Sequence, residues 1–381
     1  MRTPKSRRTL AIAGALGAIA MGVAACGSSS SGGSSSSSSG SSSSSTSSSG
    51  GKVGKVAVLL PDSKSSVRWE TADRPLLKAA FDAAGVPVTI QNAEGDKSTQ
   101  QQQAEQAITN GAKVLLLVNL DSGSGAAIEA NAKSQGVKVI DYDRLTLKGD
   151  SDYYVSFDNE QVGKLQGQGL VDCLNKSGVS NPQIAELNGS PTDNNATLFK
   201  QGYDSVLNPL YQSGKAKKVA DQSVPDWDNQ KALTIFEQML QKSNNKIDGV
   251  LAANDGLGNA AISAIKARKL KKIPVTGQDA TLEGIQNIIA GDQCMTVYKA
   301  IKAEADAASK LAIALAKNQP PPAGLVNGKS DDTARQVPSV LLKPVAVTKD
   351  NIVDTVIKDN FIKKSDLCTG KFAAACTKLG L

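Results

Sequence analysis

Polar and charged side chains recur directly after the short apolar runs of this sequence, and their chemistry suits ligand binding. The clusters are Asp62, Asp143-Arg144, Asp158-Asn159, Asn194-Asn195, Asn254-Asp255, Gln278-Asp279 and Lys299. The chain has two tryptophans, and both lie in comparable loops: Trp69 beside Arg68, and Trp227 in a Pro-Asp-Trp-Asp string. Planar polar groups form paired hydrogen bonds with adjacent hydroxyls, and aromatic rings pack on weakly apolar C–H faces. We therefore expect a site for a neutral, many-hydroxyl ring such as a monosaccharide.

Each of these residues also has a purely structural interpretation. Asp, Asn and Ser after a strand commonly cap the next helix, and this alternative stays open for Asp158, Asp193 and Asp255. A lone tryptophan is often part of a core. The set carries more weight than any member, because all the clusters fall at the same end of the predicted strands.

Several kinds of chemistry are excluded by composition. The sequence contains no histidine, which excludes Ser-His-Asp and Cys-His catalysis and every His-ligated metal site. A glycoside-processing enzyme would use a pair of carboxyl groups, one as the acid and the other as the nucleophile. Asp143 and Asp279 are candidates, but nothing in the sequence assigns these roles to them. The sequence of residues 324–330 is similar to a phosphate-binding loop. It has three residues between its glycines, however, and the loop requires four. We predict no enzyme activity, no cofactor and no metal.

The elements that must position these side chains alternate between β-rich runs and helical segments. Strands are predicted at 56–60, 86–90, 114–118, 137–140, 153–157, 183–187, 217–221, 249–252, 273–276 and 295–298. Runs that are apolar throughout and separated by helices indicate parallel strands covered on both faces. Ligands bind at the carboxyl ends of such strands, where the polar clusters lie. The pattern predicts two doubly wound, Rossmann-like α/β lobes.

The lobes are predicted to exchange chain segments. Residues 54–157 and 280–322 would form the N-terminal lobe, residues 158–279 and 323–367 the C-terminal lobe, and residues 368–381 a C-terminal tail. We expect crossings near Phe157-Asp158, near Asp279-Ala280 and at residues 320–324, where a run of three prolines excludes a helix.

The N-terminal segment has the pattern of a bacterial export signal. Residues 1–25 have a basic start, an apolar run and small residues before Cys26, which predicts lipidation of Cys26 and anchoring to the outer face of the cell membrane. An ordinary signal with an incidental cysteine is the alternative. The Ser/Gly tract within residues 26–53 predicts a disordered tether. Four of the 43 Lys and Arg lie in the signal, leaving 39 basic against 36 acidic residues, so we expect no nucleic-acid binding.

Four cysteines follow Cys26. They are Cys173, Cys294, Cys368 and Cys376. An even number in an exported protein suggests disulfides, and three pairings stay open, of which Cys368 with Cys376 is the local one.

Seven strings of the sequence carry a resemblance to a known family. They are Ser66-Val67-Arg68-Trp69, Asp141-Tyr142-Asp143-Arg144, Ser156-Phe157-Asp158-Asn159-Glu160, Gly189-Ser190-Pro191-Thr192-Asp193-Asn194-Asn195-Ala196, Ala253-Asn254-Asp255, Gly277-Gln278-Asp279-Ala280 and Met295-Thr296-Val297-Tyr298-Lys299. These strings resemble the periplasmic D-xylose-binding proteins, the substrate-binding components of ABC sugar importers in the type I periplasmic binding protein superfamily. The similarity extends from about Lys55 to Leu367. The strings at 189–196 and 295–299 are specific to the xylose branch.

The resemblance implies a monomer of two lobes, joined by three hinge segments, that closes on a sugar. It implies that these residues form hydrogen bonds to the sugar or lie beside it: Arg68, Asp143, Arg144, Asn194, Asn195, Asn254, Asp279 and Lys299. Trp69 and Trp227 would cover the sugar's faces. The implied partners are a monosaccharide, with D-xylose first, and an ABC permease with a separate ATPase subunit.

Other functions compatible with this pattern differ in ligand or partner. Glucose, ribose and arabinose stay open, because one CH₂OH group changes affinity by only about 1–3 kcal/mol. A receptor that feeds a sensor kinase is not separable from a transport receptor. A transcriptional repressor with the same two-lobed fold would need a helix-turn-helix where the Ser/Gly tract stands.

Overall fold

The structure, a computed structural model, describes residues 53–381. Its strands are β1 (Lys55–Leu60), β2 (Val88–Asn92), β3 (Ala112–Leu117), β4 (Lys138–Tyr142), β5 (Tyr153–Phe157), β6 (Gln183–Asn188), β7 (Lys217–Ser223), β8 (Gly249–Ala252), β9 (Thr296–Tyr298), β10 (Gly328–Asp331), β11 (Gln336–Leu342) and β12 (Val345–Val347). The predicted export signal, the predicted lipidation site Cys26 and nearly all of the predicted tether lie outside the described residues.

The helices fill the connections between these strands. They are α1 (Arg74–Ala83), α2 (Lys97–Thr109), α3 (Ser122–Ser134), α4 (Asn159–Ser177), α5 (Asn194–Gln212), α6 (Asn229–Lys242), α7 (Asp255–Ala267), α8 (Leu282–Ala290), α9 (Ile301–Ala316), α10 (Lys364–Leu367) and α11 (Ala373–Lys378). Short turns of π-helix occupy Trp69–Asp73 and Val353–Ile357, and 3₁₀ turns occupy Pro225–Trp227 and Gly370–Phe372. None of the helices in residues 53–381 has the length and apolar character of a membrane span.

The first lobe is built on a seven-stranded sheet. Its order is β10-β11-β5-β4-β3-β1-β2, parallel except for β10. Alternate residues of β1 bury on opposite faces: Val56 and Val58 toward α1 and α9, Ala57 and Leu59 toward α2 and α3. A strand buried on both faces has no polar positions, which explains its continuous apolar run.

The second lobe has a smaller parallel sheet of order β7-β6-β8. The predicted strand at 273–276 is reduced to one bridge between Val250 and Val275. Pro274 explains this difference, because proline has no N–H for a strand ladder. Strands β9 and β12 form a separate antiparallel pair beside this sheet. The predicted fold class, two α/β lobes with mostly parallel sheets, is confirmed.

The chain crosses between the lobes after β5, between β9 and α9, and between β11 and β12. The crossings predicted near Asp279-Ala280 and at residues 320–324 are wrong. Met295 and Val297 pack in the core of the second lobe, so residues 280–298 belong there. Strand β11 pairs with β5, which puts residues 328–342 in the first lobe. Covering the otherwise open edge of β5 explains this placement.

The C-terminal residues are packed rather than a separate tail. Leu367 and Cys376 are buried beside Ile285 and Ile288 of α8. A disulfide joins Cys368 to Cys376 across eight residues, and another joins Cys173 on α4 to Cys294 before β9. Both bonds lie on the second-lobe side of the molecule.

Candidate functional site

The carboxyl ends of the strands surround one cavity between the lobes. It encloses about 310 Å³ of empty space, part of it open to solvent. Its lining residues are Ser65, Ser66, Arg68, Trp69, Asp143, Arg144, Asp193, Asn195, Phe199, Trp227, Asn254, Gln278, Asp279 and Lys299. The cavity therefore brings together nine of the ten side chains predicted to bind the ligand.

Asn194 is the exception, because it does not line the cavity. It is the first residue of α5, and Asn195 follows it. Successive side chains on a helix point about 100° apart, so only one of the two can face the cleft. Asn195 takes that place and is buried.

Five lining residues were not among the ten side chains predicted to contact the ligand. They are Ser65, Ser66, Asp193, Phe199 and Gln278. Four of them stand within three positions of a residue predicted to bind the ligand, so they could have been included with those neighbours. Phe199 had no such signal, because it lies one helical turn into α5 and resembles any core aromatic.

An ionic cluster forms the first-lobe wall of the cavity. Arg68 donates from Nε and Nη2 to the two carboxylate oxygens of Asp73, each at 2.8 Å, and from Nη1 to Asp143 Oδ2 at 2.8 Å. Nη2 also donates to Glu304 of α9. These contacts fix the plane of the guanidinium group before any ligand binds.

Asp143 connects the two lobes and the segment between them. Besides the bond from Arg68, its carboxylate accepts hydrogen bonds at 3.3 Å from Lys299 Nζ and from Asn195 Nδ2. Its backbone has a φ of +64°, a left-handed conformation that aims the loop at the cleft. Burial raises the pKa of Asp143, but Lys299, Arg68 and Arg144 outweigh it and lower this pKa to about 2.

The three cations that line the cavity all have carboxylate partners. Arg144 Nε lies 3.2 Å from Asp193 Oδ2, and Lys299 Nζ lies 3.6 Å from Asp279 Oδ1. Burial lowers the pKa of Lys299, whereas Asp143 and Asp279 raise it, and the net direction is upward. Charges that are already balanced favour a neutral ligand over a phosphate or a carboxylate.

The tryptophans reach the cavity from different lobes. In the first lobe, the Trp69 ring packs under the guanidinium groups of Arg68 and Arg144, whose carbons lie 4.6 and 5.6 Å from its centroid. In the second lobe, Trp227 Nε1 donates to Asp193 Oδ2 at 3.0 Å. Gly189 makes room for this ring, since a Cβ there would lie 2.0 Å from it.

Buried polar atoms of the cavity wall have hydrogen-bonding capacity left over. Asp279 Oδ1, Gln278 Oε1 and Arg144 Nε have no hydrogen-bond partner among the described residues. Arg144 Nε is close to Asp193, but the angle is unsuitable for a hydrogen bond. An unsatisfied buried group costs about 1–3 kcal/mol, and a hydroxyl, which both donates and accepts, can satisfy either kind.

Comparison with known proteins places this arrangement in a family. Residues 56–320 match the family described as "Periplasmic binding protein domain". The chain belongs to the periplasmic binding proteins. It is 42% identical over 316 residues to the D-xylose-binding periplasmic protein of Escherichia coli strain K12, covering 82% of this chain and 92% of the relative. It is 34% identical to the multiple sugar-binding periplasmic receptor ChvE of Rhizobium radiobacter, covering 82% of this chain and 92% of that receptor.

A solved structure supports the same assignment. The carbohydrate transporter solute binding protein of Chloroflexus aurantiacus, in complex with D-glucose, superposes with a TM-score of 0.74 at 32% identity, covering 82% of this chain and 97% of that one. The resemblance to D-xylose-binding periplasmic proteins is thereby confirmed. So is the prediction that the chain is a binding protein rather than an enzyme.

Proposed function

We propose that this periplasmic binding protein is an extracytoplasmic sugar receptor that binds D-xylose between its lobes and delivers it to an ABC permease. The observation that carries the proposal is the convergence of Arg68, Asp143, Asn195, Asn254, Asp279 and Lys299 on one inter-lobe cavity. These groups come from both lobes and from the segment between β9 and α9. A sugar that contacts all of them favours the closed arrangement of the lobes.

The balance of charges and unsatisfied atoms supports a neutral sugar. The cavity cations are paired with carboxylates, while Asp279 Oδ1 and Gln278 Oε1 can accept hydrogen bonds from ligand hydroxyls. Trp69, Phe199 and Trp227 offer apolar surface for the C–H faces of a pyranose. D-xylose ranks first because the relatives at 41–42% identity are D-xylose-binding proteins.

Isothermal titration calorimetry with D-xylose, L-arabinose, D-ribose and D-glucose tests this proposal. We expect D-xylose to bind with the lowest dissociation constant. Absence of binding to all four sugars, by a folded protein, would refute the sugar-receptor function. Tighter binding of another sugar would refute only the choice of D-xylose.

D-glucose is the second candidate ligand, since a structural neighbour at 32% identity holds D-glucose. D-glucose differs from D-xylose by one CH₂OH group, and a pocket discriminates such a group by only about 1–3 kcal/mol. The ratio of the two dissociation constants measured in the same buffer decides between them.

We further propose that Cys26 carries the lipid that anchors the mature receptor to the outer face of the cell membrane. The support is the sequence before it, Val23-Ala24-Ala25, which ends a basic and then apolar segment. Metabolic labelling with a fatty acid should mark the wild-type protein. A Cys26→Ser variant should remain unlabelled, and labelling of that variant would exclude Cys26 as the lipidation site.

The proposed delivery partner is a permease whose ATPase is a separate subunit, because no phosphate-binding loop is found in this sequence. Deletion of the receptor should abolish uptake of radiolabelled D-xylose at micromolar concentration. Unchanged uptake, together with a lost transcriptional response to D-xylose, would favour a sensor kinase as the partner.

A further inference from the structure

A buried carboxylate beneath the second-lobe wall of the cavity does not itself reach the ligand space. Asp255 is the first residue of α7, is fully buried and is absent from the cavity lining. It does not cap its helix, because Asn254 accepts the capping hydrogen bond from the Leu257 N–H. Its side chain is turned inward instead.

Four hydrogen bonds converge on the Asp255 carboxylate. Thr281 donates to Oδ2 from its backbone N–H at 2.7 Å and from its hydroxyl at 3.0 Å. Gln293 Nε2 and Thr296 Oγ1 donate to Oδ1 at 2.8 and 2.7 Å. All of these donors are neutral, and they belong to the loop before α8, the segment before β9, and β9 itself.

Two of these three segments carry or adjoin a residue of the cavity wall. The Thr281 loop carries Asp279, whose backbone φ of +91° is unusual for a residue with a side chain. Strand β9 ends one residue before Lys299. The Asp255 N–H also donates to the Gln278 carbonyl at 2.9 Å, and its chain neighbour is Asn254. One carboxylate is thus bonded to, or adjacent to, every second-lobe segment that presents Asn254, Gln278, Asp279 or Lys299.

The packing around this carboxylate leaves no room for adjustment. A Cβ at Gly277 would lie 2.0 Å from Asp255 Oδ1, and one at Gly284 would lie 2.2 Å from Oδ2. Glycine at these two positions lets the backbone approach the carboxylate and brings the Thr281 N–H into range. The chain around Asp255 is therefore shaped to its two oxygens.

We propose that Asp255 is a positioning residue for sugar binding: its carboxylate sets the place of Asp279 and Lys299 in the closed cavity. This inference rests on the proposed function, because it assigns a role in binding the same sugar. Without the Asp255 carboxylate, the strained loop at Asp279 loses the hydrogen bonds that hold it. The Asp279 carboxylate then no longer contacts the ligand in a single orientation.

The test compares Asp255→Asn with the wild-type full-length protein by calorimetry with D-xylose and, in parallel, D-glucose. Asparagine has the size of aspartate but replaces one acceptor oxygen by an NH₂ donor, so at least one donor is left unmatched. We expect affinity to fall roughly 10- to 100-fold, as for loss of a hydrogen bond to a charged group. Wild-type affinity in a folded Asp255→Asn protein would overturn the proposal.

A matched control is Asp248→Asn. Asp248 immediately precedes β8, whereas Asp255 follows it, and its carboxylate accepts from the Gln183 N–H at 3.0 Å at the opposite end of the sheet. This variant should bind sugar as the wild type does. An equal loss of affinity in both variants would show a general effect on the lobe and would overturn the specific role of Asp255.

A double-mutant cycle separates positioning from general destabilisation. If Asp255 acts through Asp279, then Asp255→Asn combined with Asp279→Ala should lose less affinity than the product of the two single losses. An affinity loss in the double variant equal to the product of the two single losses would overturn the proposal. If Asp255→Asn fails to fold, Thr296→Val replaces it in the same cycle, because valine keeps the shape and removes one donor to Asp255.

The wild-type titration keeps the two hypotheses distinguishable. No binding of either sugar by the wild type refutes the proposed function and the inference with it. Binding by the wild type with equal binding by the folded Asp255→Asn protein refutes only the positioning role.

Discussion

Asp143 lines the proposed sugar site and Asp255 lies beneath its wall; both carboxylates are buried, yet their surroundings are opposite. Asp143 accepts from Arg68 and Lys299, and these cations with Arg144 overcome its burial and lower its pKa to about 2. Asp255 accepts only from neutral donors, and burial raises its pKa to about 7 although those donors lower it. Burial alone therefore does not decide the charge of a carboxyl group; the charge of its hydrogen-bond donors does.

The difference corresponds to two ways of building a binding wall. The first-lobe wall is held by ion pairs between fully charged groups. These interactions are strong, but loss of one charged group leaves its partners buried and unpaired. The second-lobe wall is held by neutral hydrogen bonds to a central carboxylate, so each bond contributes less and the arrangement depends on close backbone packing. The predictions below disturb the two walls in turn.

The largest effect is expected when the ionic wall loses its anion. Asp143→Asn leaves Arg68 and Lys299 buried with less compensating charge, and the free energy of unfolding should fall by about 3–5 kcal/mol. Urea denaturation measures this change. Asp82→Asn, which removes an exposed partner of Lys78, should cost less than about 1 kcal/mol. Similar losses for both variants would show that burial of the Asp143 cluster does not matter.

Asp279 belongs to both walls, because it lies beside Lys299 and on the loop held by Asp255. Asp279→Ala should weaken sugar binding by about 1.5–3 kcal/mol, through loss of a charged hydrogen bond to a hydroxyl. The free energy of unfolding should fall less than in Asp143→Asn, because Asp279 Oδ1 accepts no hydrogen bond within the described chain and Lys299 keeps its bond to Asp143. Calorimetry that gives near-wild-type affinity would remove Asp279 from the ligand contacts.

The pH dependence of stability should separate the two acids further. An unfolded aspartate titrates near 3.9, so at pH values between about 4 and 7 folded Asp255 binds more protons than the unfolded chain, and its contribution to stability falls as pH rises. The side-chain amide of the Asp255→Asn variant does not titrate in this range. The destabilisation caused by Asp255→Asn should therefore shrink between pH 5 and pH 8, on the order of 1–3 kcal/mol. A difference that does not vary with pH would contradict a raised pKa at Asp255.

The smallest effect is expected at Trp227, whose one side-chain hydrogen bond goes to Asp193, a carboxylate that Arg144 also contacts. Trp227→Phe keeps an aromatic face but removes the Nε1 donor to Asp193. Sugar affinity should fall by about 0.5–1.5 kcal/mol. A loss as large as that of Asp279→Ala would mean that the indole contributes more than an apolar face.

Most of the cavity was predictable from residue type and position after strands. Asp143, Asn254 and Asp279 follow strands or strand-like segments, and parallel strands bring such positions to one edge. The role of Asp255 as the shared hydrogen-bond acceptor of three segments was not predictable. In the sequence it was a candidate helix cap, and only its inward rotation and the distant Gln293 and Thr296 distinguish it from one.

The assignment of segments to lobes also depends on contacts that the sequence does not reveal. The prolines at 320–322 correctly exclude a helix, but they connect α9 to β10 within the first lobe rather than crossing between lobes. A proline run constrains local dihedral angles and carries no information about the strand that its neighbours will pair with. The disulfide partners Cys173 and Cys294, 121 residues apart, were left open for the same reason.

The sequence by itself determined the α/β alternation, the absence of histidine chemistry and the polar inventory at the strand ends, because these depend on residue type and local periodicity. The tertiary structure alone decided which sheet β11 joins, which of Asn194 and Asn195 faces the cavity, and which buried acids carry charge. Those outcomes depend on contacts between residues far apart in the chain, and a carboxyl group's pKa responds to the neighbours that folding supplies.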